Sequence, residues 1–274
     1  MILVGTSGYS YDDWRDGFYG SDIKRRDFLS FYARHFPTVE LDFTYYRMPD
    51  ARTLAGIERK TPEGFLFCVK LHSSMTHEIP AERAEMLTNE RLFSEAVRPL
   101  VAAGKLGCLL AQFPWSFRRS AANVDYLRGL VERMRAPLVV EFRNREWAVA
   151  ETYAELKEMG AGYCCVDEPA LRGLMPRVTV ATSRIGYVRF HGRNAAKWWD
   201  HEQPWERYDY LYSDEELSEW IPDLRRLGAE TEMTFVLFNN CHAGKAARNA
   251  ATMQTLLGLA QPATPGVSEQ VKLF

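Results

Sequence analysis

Eight short β-rich runs follow one another along the chain: "ILVG" (2–5), "TVELDF" (38–43), "FLFCVK" (65–70), "LGCLLAQF" (106–113), "LVVEF" (138–142), "AGYCCVD" (161–167), "IGYVRF" (185–190) and "TFVLFN" (234–239). Apolar residues at helical spacing fill most of the gaps, as in Phe28, Leu29, Tyr32 and Phe36, or Leu127, Leu130, Val131 and Met134. Alternation of this kind belongs to parallel sheets, and eight units predict a closed (β/α)₈ barrel, with an open doubly wound sheet as the alternative. A length of 274 residues suits one such barrel. No G-x-G-x-x-G follows the first run, which argues against dinucleotide binding. Ser213 with Glu216 has capping-box spacing, and Pro222 should kink or shorten the helix that follows. The connection 168–183 is a poor helix and is expected to be irregular. The segment "QPATPGVSEQ" reads as a linker, so the expected division is a barrel over 1–260 and a flexible tail over 261–274.

Polar residues gather near the ends of these runs, where a barrel keeps its active site. "YVRFHGR" (187–193) places Arg189, His191 and Arg193 at alternate positions, which in a strand share a face. Glu40, Asp42 and Thr44, then Lys70 and His72, Gln112, Glu141 and Arg143, Asp167, and finally Asn239 and Asn240 occupy comparable places. Structural ion pairs such as Glu40 with Arg189 are the bland reading of any one of them. The set as a whole points to a functional cavity. "FHGR" and "NNCHAG" after the last two runs add a phosphate-site expectation: Gly192 and Gly244 allow close backbone approach, and Arg189, Arg193 and Lys245 supply charge. Between them, Trp198, Trp199, Trp205, Tyr208, Tyr210 and Tyr212 crowd one insertion. It either packs on the barrel rim or forms a lid whose rings stack on a base or sugar.

A formal net charge of −2 gives no global pull towards nucleic acid or membrane, so any basic function is local. The start "MILVGTSGY" has no positive n-region, and no run reaches the length of a spanning helix; neither signal peptide nor anchor is expected. Five cysteines without C-x-x-C spacing suggest buried thiols in a reducing cytoplasm and argue against zinc.

"GTSGYSYDDW", "TVELDFTYYRMP", "FLFCVKLHSSMTH", "LGCLLAQFPWSF", "VVEFRNREW", "YVRFHGR" and "FNNCHAGKAARNA" together resemble the YecE-like proteins, the family of domain of unknown function 72, from about residue 2 to residue 258. The resemblance implies a TIM-like barrel in a bacterial or archaeal cytoplasmic protein and implies no reaction. Members commonly carry Trp where this chain has Tyr9.

Two chemistries suit the candidate residues. Glu40, Glu141, Asp167 and His191 have the donor types for a divalent metal, but Arg143 and Arg189 on the same runs compete for those carboxylates. The metal-free reading, with no cofactor, is preferred. Arg189, Arg193 and Lys70 hold an anion, helped by Arg143, Asn239, Trp198 and Tyr208. Glu40 or Glu141 is general base, His191 general acid, and Asp167 completes the catalytic set. Ser7 follows the first run, but parity alone does not define a triad. The expected function is an enzyme on a phosphate-bearing substrate, nucleic acid or nucleotide, as a phosphoester hydrolase or lyase. A sugar-phosphate isomerase or epimerase and a non-catalytic binding module are the alternatives. The last five residues, "QVKLF", resemble the bacterial sliding-clamp-binding pentapeptide, in which Gln270 makes polar contacts while Leu273 and Phe274 enter an apolar pocket.

Overall fold

A computed structural model describes residues 1–259. Eight strands close into a parallel barrel in sequence order: β1 (Ile2–Ser7), β2 (Thr38–Leu41), β3 (Leu66–Lys70), β4 (Leu106–Gln112), β5 (Leu138–Glu141), β6 (Gly162–Asp167), β7 (Ile185–Phe190) and β8 (Met233–Phe238). Closure is made by β8 against β1, with Ile2 opposite Thr234 and Thr6 opposite Phe238. The open-sheet alternative is thereby overturned. Gly5 lies so close to β2 that a Cβ there would meet the Thr38 carbonyl oxygen, one reason this strand tolerates no side chain at that point.

Helices cover the outside, and their buried stripes follow the spacing seen in the sequence. Phe28, Leu29, Tyr32 and Phe36 are all buried, as are Leu127, Leu130 and Met134 on the helix Ala121–Met134. Ser120 caps that helix by accepting from the Asn123 N–H. The Ser213–Glu216 capping box forms and starts the short helix Asp214–Ser218. Pro222 then sits in the first turn of a separate helix, Ile221–Glu230, where its missing N–H costs nothing. No helix forms between Asp167 and Ile185. Cys68, Cys108, Cys164 and Cys165 are buried free thiols and Cys241 is partly buried. Among the described residues no helix is long and apolar enough to cross a membrane. The tail, with Gln270, Leu273 and Phe274, lies outside the described residues.

Strand parity decides what faces the barrel axis. On β7, Tyr187 and Arg189 point inward, while Phe190 packs outward against Trp220 and Tyr212. On β6, Cys164 points inward and reaches the Glu141 carboxylate at 3.8 Å. Asp167, three residues on, therefore faces the helices.

Candidate active site

The floor of the mouth is a buried ion-pair lattice centred on Arg189. Its Nη1 donates to Glu141 Oε2 at 2.7 Å and its Nη2 to Glu40 Oε1 at 2.6 Å and, more weakly, to Ser7 Oγ at 3.3 Å. Tyr187 donates its hydroxyl to the other Glu40 oxygen at 2.6 Å. Glu141 Oε1 is 2.8 Å from Arg143 Nε and 3.2 Å from His191 Nε2. Burial alone would raise the Glu141 pKa, but Arg143, Arg189 and His191 together hold it well below the usual carboxylate range. Arg143 also reaches Glu168 at 3.3 Å, a buried carboxyl pushed up to about 7 by burial against the pull of Arg143.

His191 is fully buried, and burial, followed by the nearby Arg143 charge, lowers its pKa to about 3. Asn239 Nδ2 lies 3.1 Å from His191 Nδ1. An amide N–H directed at Nδ1 places the imidazole proton on Nε2, facing Glu141. Nε2 stands 3.2 Å from Glu141 Oε1 without completing a hydrogen bond, and burial with the nearby Arg143 charge disfavours the imidazolium form that the expected general-acid role needs.

Asp167 and Arg193 lie elsewhere. Arg193 donates to both Asp167 oxygens at 2.9 and 2.7 Å, and the same carboxylate accepts from Tyr212 at 2.7 Å and from the Trp220 indole at 2.8 Å. Every lone pair of Asp167 is spent on fastening the insertion to the barrel. Arg193 misses the mouth because Gly192, at φ 90°, interrupts the alternation of β7. Donors expected to form the phosphate site have partners of their own: the Gly192 N–H is bonded to the Tyr212 hydroxyl and Lys245 pairs with Asp209. Beside Gly244, the Ala243 N–H is bonded to Asp13.

The divalent-metal alternative does not fit this geometry. The Arg189 guanidinium fills the space between Glu40 and Glu141, and Asp167 faces another layer. Among the described residues no three His, Cys, Asp or Glu side chains are grouped to hold a metal.

Above the floor the mouth opens as two adjoining lobes. The inner one, about 340 Å³, is lined by Arg189, Asn239, Asp42, Tyr11 and Trp205. The outer one, about 310 Å³, is lined by Tyr45, Trp115, Trp198, Trp199, His77 and Arg207. Tyr46, Lys70, Gln112, Arg143 and Tyr208 line both and mark their junction. Lys70 Nζ lies 4.5 Å from the centre of the Tyr45 ring and has no carboxylate within ion-pair distance among the described residues. His77 is lowered to about 4 by burial and by Lys70 and Arg143, so it adds no charge at neutral pH.

Asp42 stands beside Glu40 in the row of strand-end carboxylates. Its Oδ1 is buried without a hydrogen-bond partner among the described residues, 3.9 Å from Arg189. Burial, then the neighbouring Glu40 charge, pushes its pKa up to about 8. A carboxyl protonated at neutral pH and facing a cavity can exchange a proton with a bound ligand. The inserted aromatics differ in their surroundings. Tyr212 is buried against the barrel and Trp198 is buried within the insertion, in contact with Tyr208 and Arg207, while Tyr208, Trp199 and Trp205 line the lobes.

The fold recurs in known proteins. The sequence matches the family described as "Protein of unknown function DUF72" over residues 3–271. It is 35% identical to the UPF0759 protein YunF of Bacillus subtilis, across 94% of this chain and 95% of that one. A DUF72 family protein from Thermotoga maritima is 41% identical and superposes with a TM-score of 0.86, covering 94% of this chain and 99% of its own. A D-psicose 3-epimerase structure has a TM-score of 0.52 at 13% identity over 93% of this chain and 99% of its own, a likeness of fold alone. The resemblance noted in the sequence motifs is borne out over nearly the whole length, and the chain belongs to the DUF72 family.

Proposed function

We propose that the mouth binds and acts on a phosphate-bearing substrate that also carries a flat ring, a nucleotide or a nucleic acid, as a phosphoester hydrolase or lyase. The observation that carries this is the lining of the outer lobe: Lys70, Arg143 and Arg207 with six aromatic rings and no carboxylate. Lys70 and Arg207 have no carboxylate partner among the described residues, and Arg143, though paired with Glu141 and Glu168, adds charge at the same wall. Such cations suit phosphate oxygens, and aromatic faces suit a base. In this reading a phosphate sits at the junction of the lobes against Lys70 and Arg143, and the base lies against Tyr208 and Trp199, with the buried Trp198 behind Tyr208. Arg189 is the buried counter-charge that pairs with Glu40 and helps to hold Glu141 ionised. Asp42, held protonated, is the group placed to donate to a leaving oxygen.

A sugar-phosphate isomerase or epimerase would use the cations equally well but gains nothing from six rings around an open cleft. The test is tryptophan fluorescence titration with thymidine monophosphate, thymidine and ribose 5-phosphate. The nucleotide should bind at least tenfold more tightly than either fragment, and Lys70→Ala should remove most of that advantage. Equal affinity for ribose 5-phosphate would transfer the reading to a sugar phosphate.

The carboxy-terminal "QVKLF" supports a DNA setting for this activity. A peptide of residues 265–274 is expected to bind a bacterial sliding clamp with micromolar affinity, about −8 kcal/mol at 1 μM. Leu273→Ala with Phe274→Ala should abolish that binding, because the apolar anchors carry most of the energy. No binding to the clamp of the source organism would remove the DNA setting and leave the mouth as the only functional argument.

A further inference from the structure

We infer that the ligand of the mouth is a single-stranded polynucleotide running across both lobes, with the mononucleotide as one unit of it. This rests on the reading that the mouth takes a phosphate-bearing, ring-bearing substrate, and it goes further by fixing the ligand's length. Each lobe, at about 310 and about 340 Å³, lies near the lower limit of small-molecule pockets. The two share a cationic junction at Lys70 and Arg143. A ring site, a cationic site and a second ring site in succession match a base, a phosphate and the next base.

The second ring site is Trp205. One face of its indole lies on the His242 ring, with centroids 4.1 Å apart and planes 18° from parallel, and the side chain is still 47% exposed. Stacking on His242 holds the indole in place before any ligand arrives, which lowers the ordering cost of stacking on its free face. At the far end of the cleft Trp199 is 55% exposed. Large exposed rings at both ends of a cleft, with cations between them, suit a chain that enters over one and leaves over the other. They are not needed for a ligand that ends inside. Recognition of this kind is tolerant of base identity, because every base offers a flat face.

The experiment compares thymidine monophosphate, oligothymidylates of two to eight units, the matching oligouridylates and a blunt DNA hairpin duplex, by fluorescence titration of the full chain. Affinity should rise at least tenfold from the monomer to the short oligomers. Its salt slope should grow by about 0.7 per added phosphate contact up to two or three contacts. Trp205→Ala should narrow the ratio of octamer to monomer affinity at least fivefold, with the thermal midpoint confirming that the variant folds. The uridylate arm reports whether the strand is read as DNA, RNA or either. Equal affinity for monomer and octamer would overturn the strand while leaving the nucleotide reading intact. Hairpin binding as tight as that of the octamer would overturn it too, since paired bases cannot stack on these rings. Failure of all the ligands to bind would sink both readings together.

Discussion

Arg189 Nη1 lies 2.7 Å from Glu141 Oε2, and both side chains are almost wholly removed from solvent. Their pairing spans 48 positions of sequence and sets the electrostatics of the barrel floor. Glu141→Gln would leave the Arg189 and Arg143 guanidiniums short of a buried counter-charge. Loss of one partner of a buried pair costs about 3–5 kcal/mol, and urea unfolding at pH 7 should show a loss of that order. The folded pKa of Glu141 is depressed, so its contribution is present above the unfolded value and is lost as pH falls through the folded one. The gap between wild type and variant should therefore hold from neutral pH down to about pH 5 and narrow below it. A constant gap down to pH 3 would contradict the ionised pair.

Asp42 titrates in the opposite sense. Its folded pKa of about 8 stands above the unfolded value of 3.8, so the folded state holds a proton that the unfolded state has released. Its favourable contribution is complete below the unfolded pKa and declines as pH rises through the folded one. Asp42→Asn removes this penalty. The thermal midpoint of the variant, relative to wild type, should rise steadily between pH 5 and pH 9. A difference independent of pH would show that Asp42 is an ordinary ionised surface carboxylate.

Much of this was legible before any coordinates. Eight runs with helical spacing between them specify the closed barrel, and alternation along β7 correctly puts Arg189 and His191 inside. Parity failed where its premise failed. Arg193 follows Gly192, whose positive φ turns the chain aside, and Asp167 shares the outward parity of Tyr163 and Cys165. Cys164, an inward neighbour in the same run, was the available signal for that. The pairing of Glu40 with Arg189 was legible as the bland reading and is present at 2.6 Å. That Arg189 also reaches Glu141, 48 positions away in sequence, was not, because it depends on which strands become adjacent and how far the side chain reaches. One guanidinium thus holds two carboxylates, Glu40 and Glu141, that come from different strands. Asp42, one pair of residues beyond Glu40, was passed over although it lies past the strand end and faces the cavity.

His191 should show no titration across the neutral range. With its pKa lowered to about 3 from an ordinary 6.5, the ring stays neutral from pH 5 to 8. Long-range ¹H–¹⁵N spectra should report one tautomer, protonated at Nε2 and accepting at Nδ1 from Asn239. Asn239→Asp would offer an acceptor to Nδ1 in place of a donor and should raise the His191 pKa. A midpoint near 6.5 in the wild-type protein would restore the general-acid role.

The last prediction separates structure from catalysis at Asp167. Its carboxylate accepts from Arg193, Tyr212 and Trp220, which join β6 to the insertion after β7 and to the outer helices. Asp167→Ala would leave Arg193 with only Glu216 and Glu219, each at 3.3 Å. It would also leave the buried Tyr212 hydroxyl and Trp220 indole N–H without their acceptor, which costs about 1–3 kcal/mol per group. Urea unfolding should register a loss of that size. The insertion should also loosen locally, because Tyr212 and Arg193 are among its fastenings to the barrel. Limited proteolysis should accordingly cut between residues 194 and 213 at a lower protease concentration than in wild type, while the barrel strands keep their protection. Glu219→Ala is the control, since that side chain is largely exposed and lies 3.3 Å from Arg193 at the edge of the same cluster; it should change stability by less than about 1 kcal/mol. Unchanged stability and unchanged proteolysis in Asp167→Ala would return this residue to the list of candidates for chemistry.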